Sequence, residues 1–304
     1  MTPFEILEYP NGTSTVLDTV SGEVMHSRIG PWEEAQTLYI QQSRLTERLQ
    51  ALGKRSPLVV YDVGMGIAAN AWAAIEARLA LCASQTTARP LKVISFENEL
   101  SGLRLALRTP DRFGYLSRAA SALETLVETG KWSSSDAEIS WELRVGDFFS
   151  LARSVDAPEI VFYDFYAPRS CPELWSVRYL TQLHKILVSE TLLSPDPLLP
   201  CDFYTYSAAT PVRVGLLLAG FFVGYGIGTG AKNETTVASL DLNRLENPLS
   251  ERWLEKFLRS DRPFPWGDPN FTESGLKNTF TEELKRLRSR ILDHPQFQKS
   301  LASI

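Results

Sequence analysis

The stretch Val60-Tyr61-Asp62-Val63-Gly64-Met65-Gly66 decides how the rest of this chain is read. An apolar run over 58–61 leads into an acid and a Gly-x-Gly turn, and an alanine-rich segment of helical character follows over 70–82. Strand, glycine turn and helix in that order make a ligand-binding βα unit, because glycine permits both the tight turn and a close backbone approach to a ligand. A pyrophosphate at this turn would meet the Asp62 carboxylate. The third glycine of a dinucleotide fingerprint is also missing, since the run continues Ile67-Ala68-Ala69. Both features argue against a nicotinamide oxidoreductase.

Downstream the βα rhythm continues. Strands are predicted at 91–96, 141–145, 160–163 and 203–206, with helices at 100–107, 173–187 and 211–219 and a mostly helical connection over 108–140. Such alternation predicts a mostly parallel sheet covered on both faces. The stretches 221–227 and 235–240 then read as an antiparallel hairpin around a loop holding Gly228, Gly230, Lys232 and Asn233. The predicted fold is α/β: a Rossmann-like class I methyltransferase architecture, with a mostly parallel seven-stranded sheet ending in an antiparallel hairpin.

Upstream, 1–30 reads as short strands about an Asn11-Gly12 turn. Residues 31–52 read as one amphipathic helix carrying Ala35, Leu38, Leu45, Leu49 and Leu52, with Pro31 in its first turn. After Asn247 come a helix with Trp253, Leu254, Phe257 and Leu258 on one face and Ser250 as N-cap, a proline-rich strap over 262–267, and a last helix bearing Phe280, Leu284, Leu287 and Ile291. Three regions follow: an N-terminal extension (1–57), the methyltransferase domain (58–242) and a C-terminal helical extension (243–304).

Composition narrows the classes. The 304 residues carry a net charge of −5, which argues mildly against a dedicated nucleic-acid binder while leaving room for a local basic patch. Cys82, Cys171 and Cys201 form no CxxC pair, so buried reduced thiols are expected and no metal site. The start, Met1-Thr2-Pro3-Phe4-Glu5, lacks the pattern of a signal peptide. The longest apolar stretch, 214–228, is glycine-interrupted and too short to cross a bilayer. A cytoplasmic protein without membrane partners is expected. The oligomeric state is left open, a monomer being compatible with the sequence.

Strand ends supply the candidate chemistry. Asp62 suits a ligand ammonium, and Gly64 and Gly66 let the backbone approach. Glu97, closing Ile94-Ser95-Phe96-Glu97, can accept from both ribose hydroxyls of an adenosine. Asp147, in Gly146-Asp147-Phe148, can accept from an adenine amine while Phe148 packs on the ring. Three acids at three consecutive strand ends converge on the edge where such folds bind ligands. The strand at 160–163 ends Asp164-Phe165-Tyr166-Ala167-Pro168. An amine must be neutral to attack a methyl group, so Asp164 is the candidate catalytic base, with Tyr166 lining the acceptor pocket. His26 precedes the 31–52 helix and can fold over the same edge.

Together these stretches resemble the methyltransferase domain of the MnmC type, which acts on the aminomethyl group of tRNA wobble uridine. The resemblance covers roughly 20–240 and rests on Asp62-Val63-Gly64-Met65-Gly66 with Asn70, Ile94-Ser95-Phe96-Glu97, Asp164-Phe165-Tyr166-Ala167-Pro168, Cys171-Pro172-Glu173-Leu174-Trp175, Tyr206-Ser207-Ala208 with Arg213, and Tyr225-Gly226-Ile227-Gly228-Thr229-Gly230-Ala231-Lys232. The family pattern has Gly at Phe165, a further Gly near Ala68, and Asn at Cys171. The resemblance implies S-adenosyl-L-methionine as cofactor, with Asn70 among its ligands, and tRNA as partner and substrate, met by Ser207, Arg213 and Lys232. It implies a stand-alone form without the family's flavin oxidase domain. Two alternatives stay open: a methyltransferase acting on another amine or a small molecule, and a non-catalytic adenosine-binding relative.

Overall fold

The computed structural model describes residues 3–51, 56–136, 138–193, 201–229, 233–260, 264–266 and 277–301. They group into two compact units. The first takes 1–166, 203–205 and 227–233, and the second takes 167–202, 206–226 and 234–304.

The first unit opens with the strands β1 (Phe4–Glu8) and β2 (Ser14–Asp18), paired antiparallel as the Asn11-Gly12 turn predicts. The single helix expected over 31–52 is instead broken into three. A short α1 (Pro31–Glu34) runs into a π-helical stretch, Ala35–Gln41, and α2 (Leu45–Leu49) follows after Arg44 turns left-handed at φ 52°. The wider π turn brings Ala35, Leu38, Tyr39 and Ile40 all into the core, more than one stripe of a 3.6-residue helix accommodates.

Then come β3 (Leu58–Val63), α3 (Ala69–Ala83), β4 (Leu91–Glu97), α4 (Ser101–Ala106), α5 (Tyr115–Thr129), β5 (Lys131–Ser133), β6 (Ile139–Val145), α6 (Phe148–Leu151), β7 (Ile160–Tyr163) and β8 (Asp202–Thr205). Their spatial order is β5-β6-β4-β3-β7-β8. β3 pairs parallel with β4 and β7, and β4 pairs parallel with β6. All six β3 residues are buried, the pattern of a parallel strand covered on both faces. The three-residue β5, antiparallel to β6, is an edge strand that the sequence reading took as part of the helical connection. β4 lies on one side of β3 and β7 on the other. This reversal opens a crevice at the strands' carboxyl ends.

The second unit carries α7 (Val177–Leu193), α8 (Thr210–Ala219), β9 (Phe222–Gly226), β10 (Thr235–Ser239), α9 (Glu251–Leu258), α10 (Lys277–Leu292) and α11 (Pro295–Leu301). β9 and β10 form the expected antiparallel pair, in register from Phe222↔Ser239 to Gly226↔Thr235. Trp253, Leu254 and Phe257 bury the α9 stripe, and Trp253 stacks on both Phe257 and Phe297. Leu287 and Ile291 do the same for α10. Ser250 stands at the α9 N-cap, but its side chain makes no capping bond. The α11 helix was not expected. Its Gln296 amide bonds the Val223 backbone N–H and carbonyl and the Leu249 carbonyl, satisfying buried backbone groups beside β9. The three cysteines are free, with Cys201 buried and Cys82 and Cys171 half-buried. No helix among the described residues is long and apolar enough to cross a membrane.

One backbone position holds the crevice together. Gly64, at φ +83°, passes the end of β7 so closely that a Cβ would sit 2.8 Å from the Asp164 carbonyl oxygen. Gly12 has nearly the same φ, +82°, with nothing within 4 Å of such a Cβ. Gly12→Ala therefore reports the conformational strain alone, about 1 kcal/mol. Gly64→Ala adds a collision with rigid backbone and should lose at least about 2 kcal/mol more by urea denaturation. Equal losses would show that the approach of β3 to β7 is slack.

Candidate active site

Four carboxylates stand at the carboxyl ends of four neighbouring strands: Asp164 after β7, Asp62 on β3, Glu97 on β4 and Asp147 after β6. Asp62 is fully buried. Its Oδ2 accepts from Ser95 Oγ at 2.7 Å, from the residue beside it on β4. Its Oδ1 is buried with no hydrogen-bond donor among the described residues. Burial, with the charges of Asp164 and Glu97, pushes Asp62 up to about 7 against the Ser95 hydrogen bond.

Glu97 ties the glycine turn to the β4 end. Its Oε2 accepts from the Gly66 N–H at 2.9 Å, and its Oε1 accepts from the N–H groups of Asn98 and Glu99 at 2.8 and 3.1 Å. Burial still raises its pKa against these three bonds. Ala68 adopts a left-handed conformation, φ 63°, at the start of α3, where the family pattern has a glycine nearby. The buried Tyr115 hydroxyl fixes this loop from α5 by donating to the Ile67 carbonyl at 2.8 Å.

Asp164 is half-buried, and its backbone N–H donates to the Val63 carbonyl at 2.9 Å. Its Oδ2 accepts from Asn70 Nδ2, in the first turn of α3, at 2.8 Å. Asn70 Oδ1 is itself a buried acceptor without a donor among the described residues. Burial raises the Asp164 pKa; the His26 ring, the Asn70 amide and the Tyr39 hydroxyl pull it down, and Glu34 pushes it up. Phe165 packs edge-on against Tyr163 at 4.9 Å, and Tyr166 is half-buried beside it.

The chain after β2 reaches the glycine turn through Met25. A Cβ on Gly66 would lie 3.7 Å from Met25 Sδ, so Met25 covers the cofactor-type turn. His26 is 8% exposed, and its Nδ1 lies 3.3 Å from Glu34 Oε2 at the end of α1. Met25, Glu34 and Tyr39 escaped the sequence reading. No spacing rule links them to the glycine turn, and Tyr39 faces inward because of the π turn.

Three candidates do other work in this structure. Asp147 is exposed and caps α6, its Oδ2 accepting from both the N–H and the hydroxyl of Ser150. Phe148 is 3% exposed and packs edge-on against Phe96 at 4.9 Å and Tyr61 at 6.3 Å, so its ring fills the core rather than facing an adenine. Arg213, in the second unit, is 2% exposed. It bonds Glu234 Oε1 and the Thr235 carbonyl at 2.8 Å and Thr236 Oγ1 at 3.1 Å, with its guanidinium over the Tyr225 ring. Such a buried, committed cation locks α8 to β10 and is not presented to a phosphate. Ser207 is buried in the same unit, its carbonyl accepting from Thr236 Oγ1 at 2.6 Å. Lys232 lies outside the described residues. Among those residues, no group of three His, Cys, Asp or Glu side chains could hold a metal ion.

Comparison with known proteins bears on the fold and on the cofactor class. The family described as S-adenosyl-L-methionine-dependent methyltransferase matches residues 119–241. The chain is 26% identical over 239 residues to the tRNA 5-methylaminomethyl-2-thiouridine biosynthesis bifunctional protein MnmC of Chromobacterium violaceum, covering 71% of this chain and 32% of that protein. It is 29% identical over 226 residues to the MnmC of a Marinomonas species, covering 72% and 31%. The chain thus spans about a third of the length of these curated relatives. The crystal structure of MnmC2 from Aquifex aeolicus superposes with a TM-score of 0.65 at 21% identity, over 98% of this chain and 86% of that one, and so shares the fold.

The residues present fit this cofactor. Its amino-acid end carries an ammonium and its sulfur a positive charge. The edge offers Asp62 Oδ1 and Asn70 Oδ1 as buried acceptors without donors among the described residues, beside carboxyl groups whose pKa values are raised by burial. The sign of the pH dependence follows. An ammonium beside Asp62 favours its charged form, so binding releases a proton below about pH 7. Affinity measured by calorimetry should rise from about pH 5.5 to about pH 7, by up to roughly tenfold per unit, and Asp62→Asn should flatten the slope. Without cofactor, the raised Asp62 pKa makes a stability contribution that is full below the usual carboxylate range and lost as pH rises through about 7. A binding slope of the opposite sign would place the ammonium elsewhere. On fold and family match together, the chain has a Rossmann-like fold, matches the S-adenosyl-L-methionine-dependent methyltransferase family over residues 119–241, and is similar to the MnmC proteins.

Proposed function

We propose that the chain methylates the aminomethyl group on the wobble uridine of tRNA, giving the methylaminomethyl derivative. The observation that carries this reading is Asp164, a half-buried carboxylate oriented by Asn70 and joined by backbone contact to the glycine turn. Bound S-adenosylmethionine supplies an electrophilic methyl group on a sulfonium. The protein must deliver a neutral amine in line with it. Asp164 holds an N–H of the incoming amine and takes its proton; its raised pKa brings it closer to the amine's and makes it a better acceptor than an ordinary surface carboxylate. Asn70 fixes Oδ2 of this carboxylate. Phe165 and Tyr166 wall the acceptor side. The names of the MnmC relatives support tRNA as the substrate, and a cytosolic site of action goes with it.

A second reading, another amine as acceptor, is favoured by two observations. The net charge is −5, and Arg213 is committed to Glu234. Phosphate contact then falls to Lys232 and to exposed cations such as Arg286 and Arg290 on α10.

The test is methyl transfer from labelled cofactor to tRNA bearing aminomethyl-uridine, read by nucleoside mass spectrometry. Product should form, and Asp164→Asn should lower kcat by about a hundredfold with cofactor affinity little changed. Labelled small amines with unlabelled tRNA would select the second reading. Filter binding against salt separates the cations. Lys232→Ala should flatten the slope, whereas Arg213→Ala should lower Tm and leave the slope unchanged.

A further inference from the structure

A chain of hydrogen bonds crosses three neighbouring strands, and the methyl-transfer reading uses only its last member. Trp141 Nε1 on β6 donates to Ser95 Oγ on β4 at 2.9 Å, and Ser95 Oγ donates to Asp62 Oδ2 on β3 at 2.7 Å. Asp62 lies opposite Ser95 in the parallel register, and Trp141 lies opposite Val93, two residues earlier on β4. All three side chains are fully buried. Trp72 of α3 packs on the Trp141 ring at 6.4 Å, which helps to fix where the indole nitrogen stands.

Donor count fixes the direction of the chain. An indole nitrogen can only donate, and a serine hydroxyl has one proton. With Trp141 donating to the Ser95 oxygen, the Ser95 proton goes to Asp62 Oδ2, its one acceptor among the described residues. Oδ2 is thereby held as an acceptor. Oδ1 of the same carboxyl group is buried without a donor among the described residues. A proton on Asp62 must then sit on Oδ1, the atom that an ammonium would use.

We propose that Ser95 and Trp141 are positioning residues for Asp62: they hold Oδ2 and reserve Oδ1 for the ammonium at the cofactor's amino-acid end. This rests on the reading of Asp62 as the acceptor of that ammonium. Ligand and proton then compete for one oxygen. On binding, the Oδ1–H bond breaks with its electron pair kept on oxygen, and water takes the proton. Several groups set how readily this happens. Burial raises the Asp62 pKa most, and the Ser95 bond opposes it. Asp164 at the end of β7 and Glu97 on β4 add to the rise, and His26 after β2 opposes it. The buried Tyr115 hydroxyl of α5 is the remaining titratable neighbour. Substitution at Ser95 or Trp141 leaves all four of these side chains in place.

Two measurements test it. The first needs no cofactor: NMR of the Trp141 indole N–H against pH, its resonance assigned among the seven tryptophans by Trp141→Phe. The resonance should shift with a midpoint near 7 in the wild type and hold still in Ser95→Ala. A resonance that ignores pH in the wild type, or titrates equally without the Ser95 hydroxyl, overturns the proposal. The second counts protons released when S-adenosylmethionine binds at pH 7, by calorimetry in two buffers of different ionisation enthalpy. The wild type should release about half a proton. Ser95→Ala should release nearly twice as much, because the lost bond favoured the carboxylate and its absence moves the midpoint up by about one unit. Trp141→Phe should also release more, since the Ser95 oxygen is then free to accept from a protonated Asp62. Both variants disturb a buried site and lower Tm, so the proton count is the deciding quantity. Weakened binding with the wild-type count would show a merely structural role and overturns the proposal. If the indole titrates through Ser95 while wild-type binding releases no proton, the ammonium lies elsewhere: the reading of Asp62 as its acceptor fails, and the hold of the chain on Asp62 stands.

Discussion

The carboxyl edge of the first unit depends on how closely the backbone after β3 passes the backbone after β7. At Gly64 the two run at a separation that excludes even a methyl group. The same contact sets the glycine turn against Asp164, so the ligand-binding loop and the candidate base are fixed by one piece of rigid scaffold. Glu97 extends the arrangement by pinning Gly66 to the end of β4. A site built this way holds its groups by sheet registry rather than by flexible side chains, which is what delivering an amine to a methyl group requires.

This scaffold crowds acids. Burial raises the pKa values of Asp62, Glu97 and Asp164, and the charges of Asp164 and Glu97 further disfavour the charged form of Asp62. Such a cluster is poorly matched with itself and well matched to a cationic ligand. The protein supplies part of the compensation from far away in sequence. His26 and Tyr39, from the segments on either side of α1, lower the Asp164 pKa, and Asn70 donates to it from α3. The N-terminal region therefore completes the site electrostatically, and Met25 covers the glycine turn as well. The second unit uses similar residue types for packing: Arg213 with Glu234, and Arg244 with Asp202, are ion pairs that anchor strands.

Much of this was legible in residue order. The strand–turn–helix pattern around Asp62, the parallel alternation after it and the closing hairpin all depend on local periodicity and on glycine, and both are local properties of the chain. The acids at strand ends were legible for the same reason: the carboxyl end of a strand is a sequence position before it is a place in space. The roles of Phe148 and Arg213 were not. An aromatic after a strand turns inward or outward according to the packing around it, and here Phe96 and Tyr61 take it into the core. A cation near a hairpin faces solvent or a buried partner according to what lies beneath it, and here that is Glu234.

The sequence by itself determined the class of sheet, the glycine turn and the set of carboxylates at its edge, because backbone conformation and hydrophobic period are encoded over a few residues. Only the tertiary structure decided which carboxyl oxygen lacks a donor among the described residues, which acid is oriented by Asn70, and that His26 pairs with Glu34. Those facts depend on distances between segments separated in sequence. Burial and Coulomb energy are set by such distances, and no local pattern carries them.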